Sequence, residues 1–203
     1  MLITFEGIDG SGKSTQIQLL HEKLVQEGYP VSVFREPGGT KISEKIRELL
    51  LDQDNDIDPV TEALLFSSAR SRLVSEVLKP RIQAGEMVIL DRYYDSTVAY
   101  QGYGRQALPL NDLHELNKIA SRGLVPDITF YLKIDIEQSE HRRKDLVRDR
   151  MENSGLDFYR RVISGFDELA ALEARIVVLE ASGSVDHIAD KIWQIIQRKI
   201  RGL

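Results

Sequence analysis

The stretch Gly7-Ile8-Asp9-Gly10-Ser11-Gly12-Lys13-Ser14, near the start of the chain, matches the pattern G-x-x-x-x-G-K-[ST]. An apolar run at residues 2–5 precedes it, and apolar residues at helical spacing follow it. The glycines allow the backbone to turn so that successive N–H groups point inward, and the following helix contributes its positive N-terminal end. The stretch therefore predicts a polyphosphate-binding loop between a buried strand and a helix.

Short apolar runs recur along the rest of the chain, with amphipathic segments between them. The runs predicted as strands are residues 2–5, 31–34, 87–90, 128–132 and 176–179. They are continuous rather than alternating, as strands buried on both faces are. Helices are predicted at residues 14–27, at 59–78, ending before Pro80, at 110–122 and after Ser184. This order predicts an α/β fold with a five-stranded parallel sheet flanked by helices.

The composition is that of one domain spanning residues 1–203. The chain has 32 acidic and 27 basic residues, a net charge of −5 and no cysteine. The absence of cysteine excludes disulfides, cysteine metal ligands and thiol nucleophiles. The 4 histidines show no spacing typical of a metal site. Any metal is therefore expected on oxygen ligands.

The charge and the hydropathy predict a cytoplasmic protein that binds neither nucleic acid polymers nor membranes. A sequence pI near 5.5 does not supply the excess of Lys and Arg that such surfaces require. The apolar runs are far shorter than the roughly 20 residues that cross a bilayer. The first residues also lack the basic region and cleavage site of a signal peptide.

The loop and one later carboxylate predict binding of ATP and Mg²⁺. Lys13 is expected to contact the β- and γ-phosphates, and the Ser14 hydroxyl to bind Mg²⁺. Asp91 follows the third predicted strand and so lies at the carboxyl edge of the sheet, where open α/β sheets bind ligands. We predict it as a second metal ligand, directly or through water.

The loop alone does not distinguish a GTPase, a motor and a kinase. A guanine-reading N-K-x-D motif is missing, because Asn117-Lys118-Ile119-Ala120 lacks the carboxylate. A small-molecule kinase must hold the anionic group of its second substrate, which requires arginines outside the loop. The candidates are Arg35, Arg70 and Arg92. An ATP-binding switch or scaffold without kinase activity is the alternative of a different class.

A basic segment at residues 137–153 carries arginines among acidic residues and few apolar anchors. Its basic residues are Arg142, Arg143, Lys144, Arg148 and Arg150. Such a pattern is typical of a solvated helix face, and equally of a mobile basic lid over bound phosphates.

Together these motifs resemble the thymidylate kinase family, in order and over essentially the whole chain. The matching segments are residues 6–15 (EGIDGSGKST), 35–40 (REPGGT), 64–66 (LLF), 91–93 (DRY), 96–102 (STVAYQG) and 149–152 (DRME). The resemblance implies a fold like that of the nucleoside-monophosphate kinases and a mobile lid. It also implies a homodimer that converts ATP and dTMP to ADP and dTDP with Mg²⁺, in dTTP synthesis. Kinases of another pyrimidine deoxynucleotide or of a deoxynucleoside remain alternatives.

The resemblance also implies roles for individual residues. Phe66 would stack on thymine, Arg70 would donate to a thymine carbonyl, and Thr97 and Gln101 would lie near the base edge. Tyr100 would lie where a ribose 2′-hydroxyl would go and so favour deoxyribose. The remaining substrate residues implied are Asp9, Arg35, Glu36 and Arg92, near the acceptor sugar and phosphate. Without the resemblance, Phe66 would be interpreted as a core residue.

The family divides into enzymes with an arginine in the phosphate-binding loop and enzymes with an acidic residue there and catalytic arginines in the lid. Asp9 indicates the second type. Arg150 would then close over the phosphates, with Arg148, Arg142 or Arg143 as an unassigned second arginine. The residues implied to be catalytic are Lys13, Arg92 and Arg150. The residues implied to bind the nucleotide cofactor are Gly7, Ile8, Asp9, Gly10, Ser11, Gly12, Lys13, Ser14 and Thr15.

Overall fold

The computed structural model describes residues 1–142, 144, 150 and 154–202. A parallel sheet contains five strands in the order β2-β3-β1-β4-β5. The strands are β1 Leu2–Glu6, β2 Val31–Arg35, β3 Met87–Asp91, β4 Ile128–Lys133 and β5 Ile176–Glu180. The predicted five-stranded parallel sheet is confirmed. Each strand extends one residue past the predicted run, and that residue is ionisable in every case, so the carboxyl edge of the sheet carries ionisable side chains.

Helices connect and cover the strands on both faces of the sheet. Their bounds are α1 Lys13–Gln26, α2 Lys41–Leu51, α3 Pro59–Leu73, α4 Lys79–Gln83, α5 Tyr94–Thr97, α6 Leu110–Ser121, α7 Ile136–Arg142, α8 Leu156–Leu172 and α9 Val185–Ile200. Two π-helical segments, Val74–Leu78 and Val98–Gly104, continue α3 and α5. Within the described residues, none of the helices has the length and apolar character needed to span a membrane.

The helix starts follow from their capping residues. The Asp58 carboxylate accepts from the N–H groups of Val60 and Thr61, with proline at the first helical position of α3. The Ser184 hydroxyl caps α9 by accepting from the N–H of His187, and α9 begins directly after Ser184, where the sequence predicted a helix. The Thr40 side chain caps α2, a helix that the sequence analysis left unassigned. α8, whose buried face includes Phe158 and Phe166, was also missed.

The prediction that the second long helix ends before Pro80 is wrong. Helical backbone runs from Pro59 through the π-helical segment Val74–Leu78 into α4, where Pro80 lies in the first turn. The π-helical segment shifts the backbone pairing, so that the N–H of Lys79 donates to the carbonyl of Val74. This shift accommodates a residue that has no N–H of its own.

The core lies on both faces of the sheet. On one face, Ile3 and Phe5 of β1 pack with Phe130 of β4 and with buried residues of α1, α8 and α9. On the other face, Leu2 packs with Leu90 and with buried residues of α3 and the π-helical segment that follows it. Burial on both faces explains why the strands are continuous apolar runs. The polar residues at the strand ends are thereby left at the carboxyl edge, where the site lies.

Candidate active site

The phosphate-binding loop connects β1 to α1 and depends on glycine at its first position. Gly7 has a φ of +133°, and a Cβ there would lie 2.5 Å from the carbonyl oxygen of Leu132. The Lys13 ammonium folds back into the loop and donates to the carbonyls of Gly7 (3.0 Å) and Ile8 (3.2 Å). Burial lowers the pKa of Lys13, and the neighbouring Arg92 guanidinium acts in the same direction.

A cavity of about 610 Å³ opens over this loop. Its lining contains the loop residues from Asp9 to Thr15, and Asp91, Arg92 and Arg142. The remaining lining residues are Gln16, Arg35, Glu36, Arg47, Ala181, Gly183, Val185 and Ile188. The structure therefore brings seven of the predicted nucleotide-binding residues, Asp9 to Thr15, to one cavity at the N-terminus of α1, where backbone N–H groups and the helix dipole favour anions. Gly7 and Ile8 do not line this cavity.

The residues predicted to bind Mg²⁺ lie in the same cavity. Asp91 Oδ1 is buried and has no hydrogen-bond partner among the described residues. Ser14, at the start of α1, is exposed. Asp91 offers a carboxylate oxygen that accepts no hydrogen bond among the described residues, and Ser14 offers a hydroxyl in the same cavity. Both fit a hard cation that keeps most of its ligands as water and phosphate oxygens.

Arg92 links the loop to the end of β3. Its guanidinium donates to Asp9 Oδ1 (2.6 Å), to the carbonyl of Gly7 (2.9 Å) and to the hydroxyl of Ser96 (3.2 Å). The guanidinium also lies 5.0 Å from the ring centroid of Tyr100. Its backbone adopts a φ of +66°, a conformation that is strained for a residue with a side chain and persists where contacts over-determine it. These contacts fix Arg92 in one position at the wall of the cavity.

A second, smaller cavity of about 120 Å³ lies beside the first. It is lined by Phe66, Arg70, Thr97, Tyr100 and Gln101, which are the residues implied to contact the base and sugar. Its other lining residues are Asp9, Glu36, Pro37, Arg47, Leu51, Arg92, Tyr93 and Ser96. Asp9, Glu36, Arg47 and Arg92 line both cavities. A polyphosphate in the larger cavity and a planar ligand in the smaller one would therefore meet at two arginines and two carboxylates.

Arg70 is 2% exposed and is held by two side chains. Its Nε and NH2 groups contact Glu36 Oε2 at 2.8 Å and 2.7 Å, and its NH1 donates to Asn117 Oδ1 at 3.0 Å. Burial raises the pKa of Glu36 to about 6, although Arg70 acts in the opposite direction. Glu36 and Asn117 together hold the Arg70 guanidinium in one orientation at the wall of the smaller cavity.

Tyr100 is 6% exposed and packs its ring edge-on against Phe158 and Phe166. Its hydroxyl is buried and has no hydrogen-bond partner among the described residues. Burial raises the pKa of Tyr100 well above its ordinary value, so the hydroxyl stays neutral. A fixed aromatic ring at this wall fits the predicted steric exclusion of a ribose hydroxyl.

Two predicted residues have contacts that the sequence did not indicate. Arg35 lines the larger cavity, but its guanidinium is half exposed and pairs with Glu44 of α2 at 2.9 Å. Glu36 faces Arg70 rather than Arg35.

Arg47 of α2 lines both cavities and donates to the carbonyl of Pro37 at 3.1 Å. The sequence analysis missed Arg47, and the signal that could have found it is the apolar spacing of α2 after its Thr40 cap.

Two arginines of the basic segment lie within the described residues, and only Arg142 lines a cavity, the larger one. Arg142 donates to the carbonyls of Gly10 (3.2 Å) and Ala181 (2.8 Å) at the larger cavity. Arg150 donates to the carbonyl of Leu50 (2.9 Å) and to Glu62 Oε2 (2.7 Å). Arg143 and Arg148 lie outside the described residues, as do Asp149, Met151 and Glu152 of the D-R-x-E motif. In this structure Arg142, rather than Arg150, contacts the phosphate-binding loop.

Glu6 is a further buried carboxyl that the sequence analysis did not assign. It is fully buried at the end of β1, and it accepts from the backbone N–H of Tyr93 (2.8 Å) and from the Ser96 hydroxyl (2.5 Å). Burial raises the pKa of Glu6 to about 8, and nearby Asp95 acts in the same direction. Glu6 thereby anchors the segment that carries Arg92.

The fold and the two joined cavities define a P-loop kinase of the nucleoside-monophosphate kinase type. A family model described as Thymidylate kinase matches residues 5–192. A thymidylate kinase of Chlorobium luteolum is 51% identical over 212 residues, covering 99% of this chain and 99% of that protein. One of Prosthecochloris aestuarii is 48% identical over 210 residues, covering 98% and 94%.

A solved structure agrees with these sequence relatives. The crystal structure of thymidylate kinase from Ehrlichia chaffeensis matches this chain with a TM-score of 0.80 and 34% identity, covering 97% of this chain and 98% of that chain. The chain belongs to the thymidylate kinase family.

Proposed function

We propose that this protein transfers the γ-phosphoryl group of ATP to dTMP, forming ADP and dTDP, with Mg²⁺. Membership of the thymidylate kinase family supports this reaction. The observation that carries it is the junction of the two cavities at Asp9, Glu36, Arg47 and Arg92. ATP occupies the larger cavity over the phosphate-binding loop, and the nucleoside of dTMP occupies the smaller one.

The chemistry follows from positioning and charge, because the acceptor is already an anionic phosphate and needs no general base. Lys13 and the backbone N–H groups of the loop hold the β- and γ-phosphates. Arg92, fixed by Asp9, holds the dTMP phosphate in line with the γ-phosphoryl group. Ser14 and Asp91 are the residues that would hold Mg²⁺, which would supply positive charge that offsets the crowded phosphate oxygens.

The base end of dTMP is held in the smaller cavity. Phe66 stacks on the thymine ring, and Arg70 donates to a thymine carbonyl. Thr97 and Gln101 lie at the base edge, and Tyr100 favours deoxyribose over ribose. Polar contacts carry most of the recognition, because a methyl group in an apolar pocket contributes only about 1–3 kcal/mol.

The residue proposed to stabilise the transferring phosphoryl group is Arg150 of the lid segment 137–153. An arginine that arrives at the equatorial oxygens is worth about 10³–10⁵ in rate in related phosphoryl-transfer enzymes. Because Arg150 contacts Glu62 and Leu50 in this structure, this role requires the side chain to leave those partners when the substrates bind. Among the residues that the structure describes, Arg142 is the candidate for the second lid arginine, because it already contacts the phosphate-binding loop.

Coupled ADP release with dTMP, dUMP, dCMP and thymidine as acceptors tests the function. We expect the largest kcat/KM for dTMP. A preference for thymidine over dTMP would make the protein a nucleoside kinase, and a preference for dCMP would identify another pyrimidine nucleotide kinase. ATP binding without dTMP-stimulated turnover would support a switch or scaffold instead.

We also propose one domain over residues 1–203 and a cytoplasmic location, as the composition, charge and hydropathy predict, and a homodimer, as the family resemblance implies. Sedimentation equilibrium of the full chain tests the homodimer, for which we expect twice the chain mass of 23.1 kDa. A monomer at all concentrations would contradict it.

A further inference from the structure

Glu62 is a buried carboxylate that has no role in the chemistry described above. It lies on α3 and is 1% exposed. Its Oε1 accepts from Gln101 Nε2 at 3.0 Å and from Arg105 Nε at 3.3 Å, and its Oε2 accepts from Arg150 at 2.7 Å. Glu62 does not line the smaller cavity, whereas Gln101 does. Any effect of Glu62 on a bound nucleotide therefore passes through Gln101.

The contact with Glu62 determines which end of the Gln101 amide faces the cavity. A carboxylate only accepts hydrogen bonds, so the amide must turn its NH₂ group toward Glu62. Its Oε1 is then the atom left for a ligand, and no donor among the described residues contacts that oxygen. Gln101 is 2% exposed, so the reversed amide would leave its oxygen against a carboxylate in a buried site, which is costly.

Arg70 supplies the complementary group in the same cavity. An arginine side chain has five N–H donors and no acceptor. Three of the Arg70 contacts go to Glu36 and Asn117, which leaves further N–H groups on its terminal nitrogens for a ligand. The cavity wall therefore combines a donor from Arg70 with an acceptor from Gln101.

This combination matches thymine and opposes cytosine. Thymine and uracil present a carbonyl oxygen at C4, which accepts, next to the N3–H, which donates. Cytosine presents the reverse, an amino group at C4 and an unprotonated N3 that accepts. A cytosine base would place its donor toward Arg70 and its acceptor toward the Gln101 oxygen, leaving buried polar groups unpaired.

Resting on the proposed function, we propose that Glu62 is a specificity-determining positioning residue that holds the Gln101 amide with its oxygen toward the base and thereby excludes cytosine nucleotides. Arg105 and Arg150 both pair with the Glu62 carboxylate in this structure. When Arg150 leaves Glu62 for the phosphates, Arg105 remains its cationic partner.

The test is the ratio of kcat/KM for dTMP to kcat/KM for dCMP in Glu62→Gln. An amide at position 62 offers a donor or an acceptor, so Gln101 can take either orientation. We expect the ratio to fall by about ten- to a hundred-fold, the effect of one unpaired buried polar group, and the ratio for dTMP to dUMP to stay as in the wild type. A merely structural role would lower all three kcat/KM values together and leave the first ratio unchanged, which would overturn the proposal.

Two further variants keep the test decisive. Gln101→Met removes the amide at similar volume and should reduce the dTMP to dCMP ratio by a similar factor, whether or not Glu62→Gln folds. If both single variants fold, adding Glu62→Gln to Gln101→Met should change the ratio no further, because Glu62 acts through Gln101. An unchanged ratio in Gln101→Met, or full additivity in the double variant, would overturn the proposal.

The control is Glu48→Gln, the same substitution at an exposed position of α2, which should keep the wild-type ratio. The outcome also separates this inference from the proposed function. If the wild-type protein does not phosphorylate dTMP, the proposed function fails. If it does so and discriminates against dCMP equally well after Glu62→Gln, only the role of Glu62 fails.

Discussion

Asp9 Oδ1 accepts a hydrogen bond of 2.6 Å from the Arg92 guanidinium, which joins the phosphate-binding loop to the end of β3. We expect Asp9→Asn to lower kcat/KM for dTMP by about tenfold, because a neutral amide is a weaker partner for the guanidinium than a carboxylate. Steady-state kinetics at saturating ATP measures this effect. Asp56→Asn, at an exposed loop position, is the matched control, and equal kinetics for the two variants would contradict the role of Asp9.

Lys13→Ala removes the one side-chain cation inside the phosphate-binding loop sequence. We expect kcat to fall by at least about 10²-fold, the typical effect of losing one preorganised group at developing charge. The thermal midpoint should stay close to that of the wild type, so that the loss is not one of folding. Lys45→Ala, at an exposed position of α2, should retain full activity. Near-normal turnover by Lys13→Ala would remove Lys13 from the catalytic set.

Arg150→Ala separates catalysis from substrate binding. If Arg150 reaches the transferring phosphoryl group, kcat falls by about 10³-fold while KM for dTMP changes little, because the interaction is made mainly in the transition state. Single-turnover kinetics measures the chemical step directly. A rise in KM alone would mean that Arg150 acts only through Glu62 and the base side of the site.

Arg70→Met tests the buried pair with Glu36. The variant leaves the Glu36 carboxylate buried without its cationic partner, which typically destabilises a protein by about 3–5 kcal/mol. Urea denaturation at pH 7.5 measures the free energy of unfolding. Adding Glu36→Gln to Arg70→Met should recover part of the loss, since the uncompensated charge is then removed. A double variant less stable than Arg70→Met would contradict this account.

Glu6→Gln tests the pH dependence of stability. The pKa of Glu6 is raised to about 8 in the folded protein from 4.5, so between these values the folded state retains a proton that the unfolded state releases. Stability from this group therefore falls as pH rises from 4.5 to 8 and is constant outside that range. We expect the wild type to lose stability relative to Glu6→Gln over this window, measured by urea denaturation at several pH values. A constant difference between the two proteins would contradict it.

The sequence predicts the sheet well because burial of both faces requires continuous apolar runs. It ends each strand one residue early, because the last strand residue is of an ionisable type although its backbone still pairs. These residues are Glu6, Arg35, Asp91, Lys133 and Glu180. The passage of helical backbone through Pro80 could not be predicted, because it depends on a π-helical shift of the backbone pairing rather than on residue type.

In the candidate site, too, the sequence predicts some features and not others. The loop from Gly7 to Ser14 is contiguous in sequence, so its spacing alone predicts its chemistry. The partners of Arg70 and Gln101 are distant along the chain: Asn117 is 47 residues from Arg70, and Glu62 is 39 residues from Gln101. Local spacing carries no information about such contacts, and only the fold brings them together.

Four arginines in and beside the two cavities pair with carboxylates: Arg92 with Asp9, Arg70 with Glu36, Arg150 with Glu62 and Arg35 with Glu44. From more than a Debye length away, about 8 Å in physiological salt, each pair is close to neutral. These four pairs therefore attract a dianionic nucleotide little during its diffusional approach, and their contribution to its association rate should depend only weakly on ionic strength. The guanidinium groups act on it at contact range, where shape and hydrogen-bond direction decide which nucleotide stays.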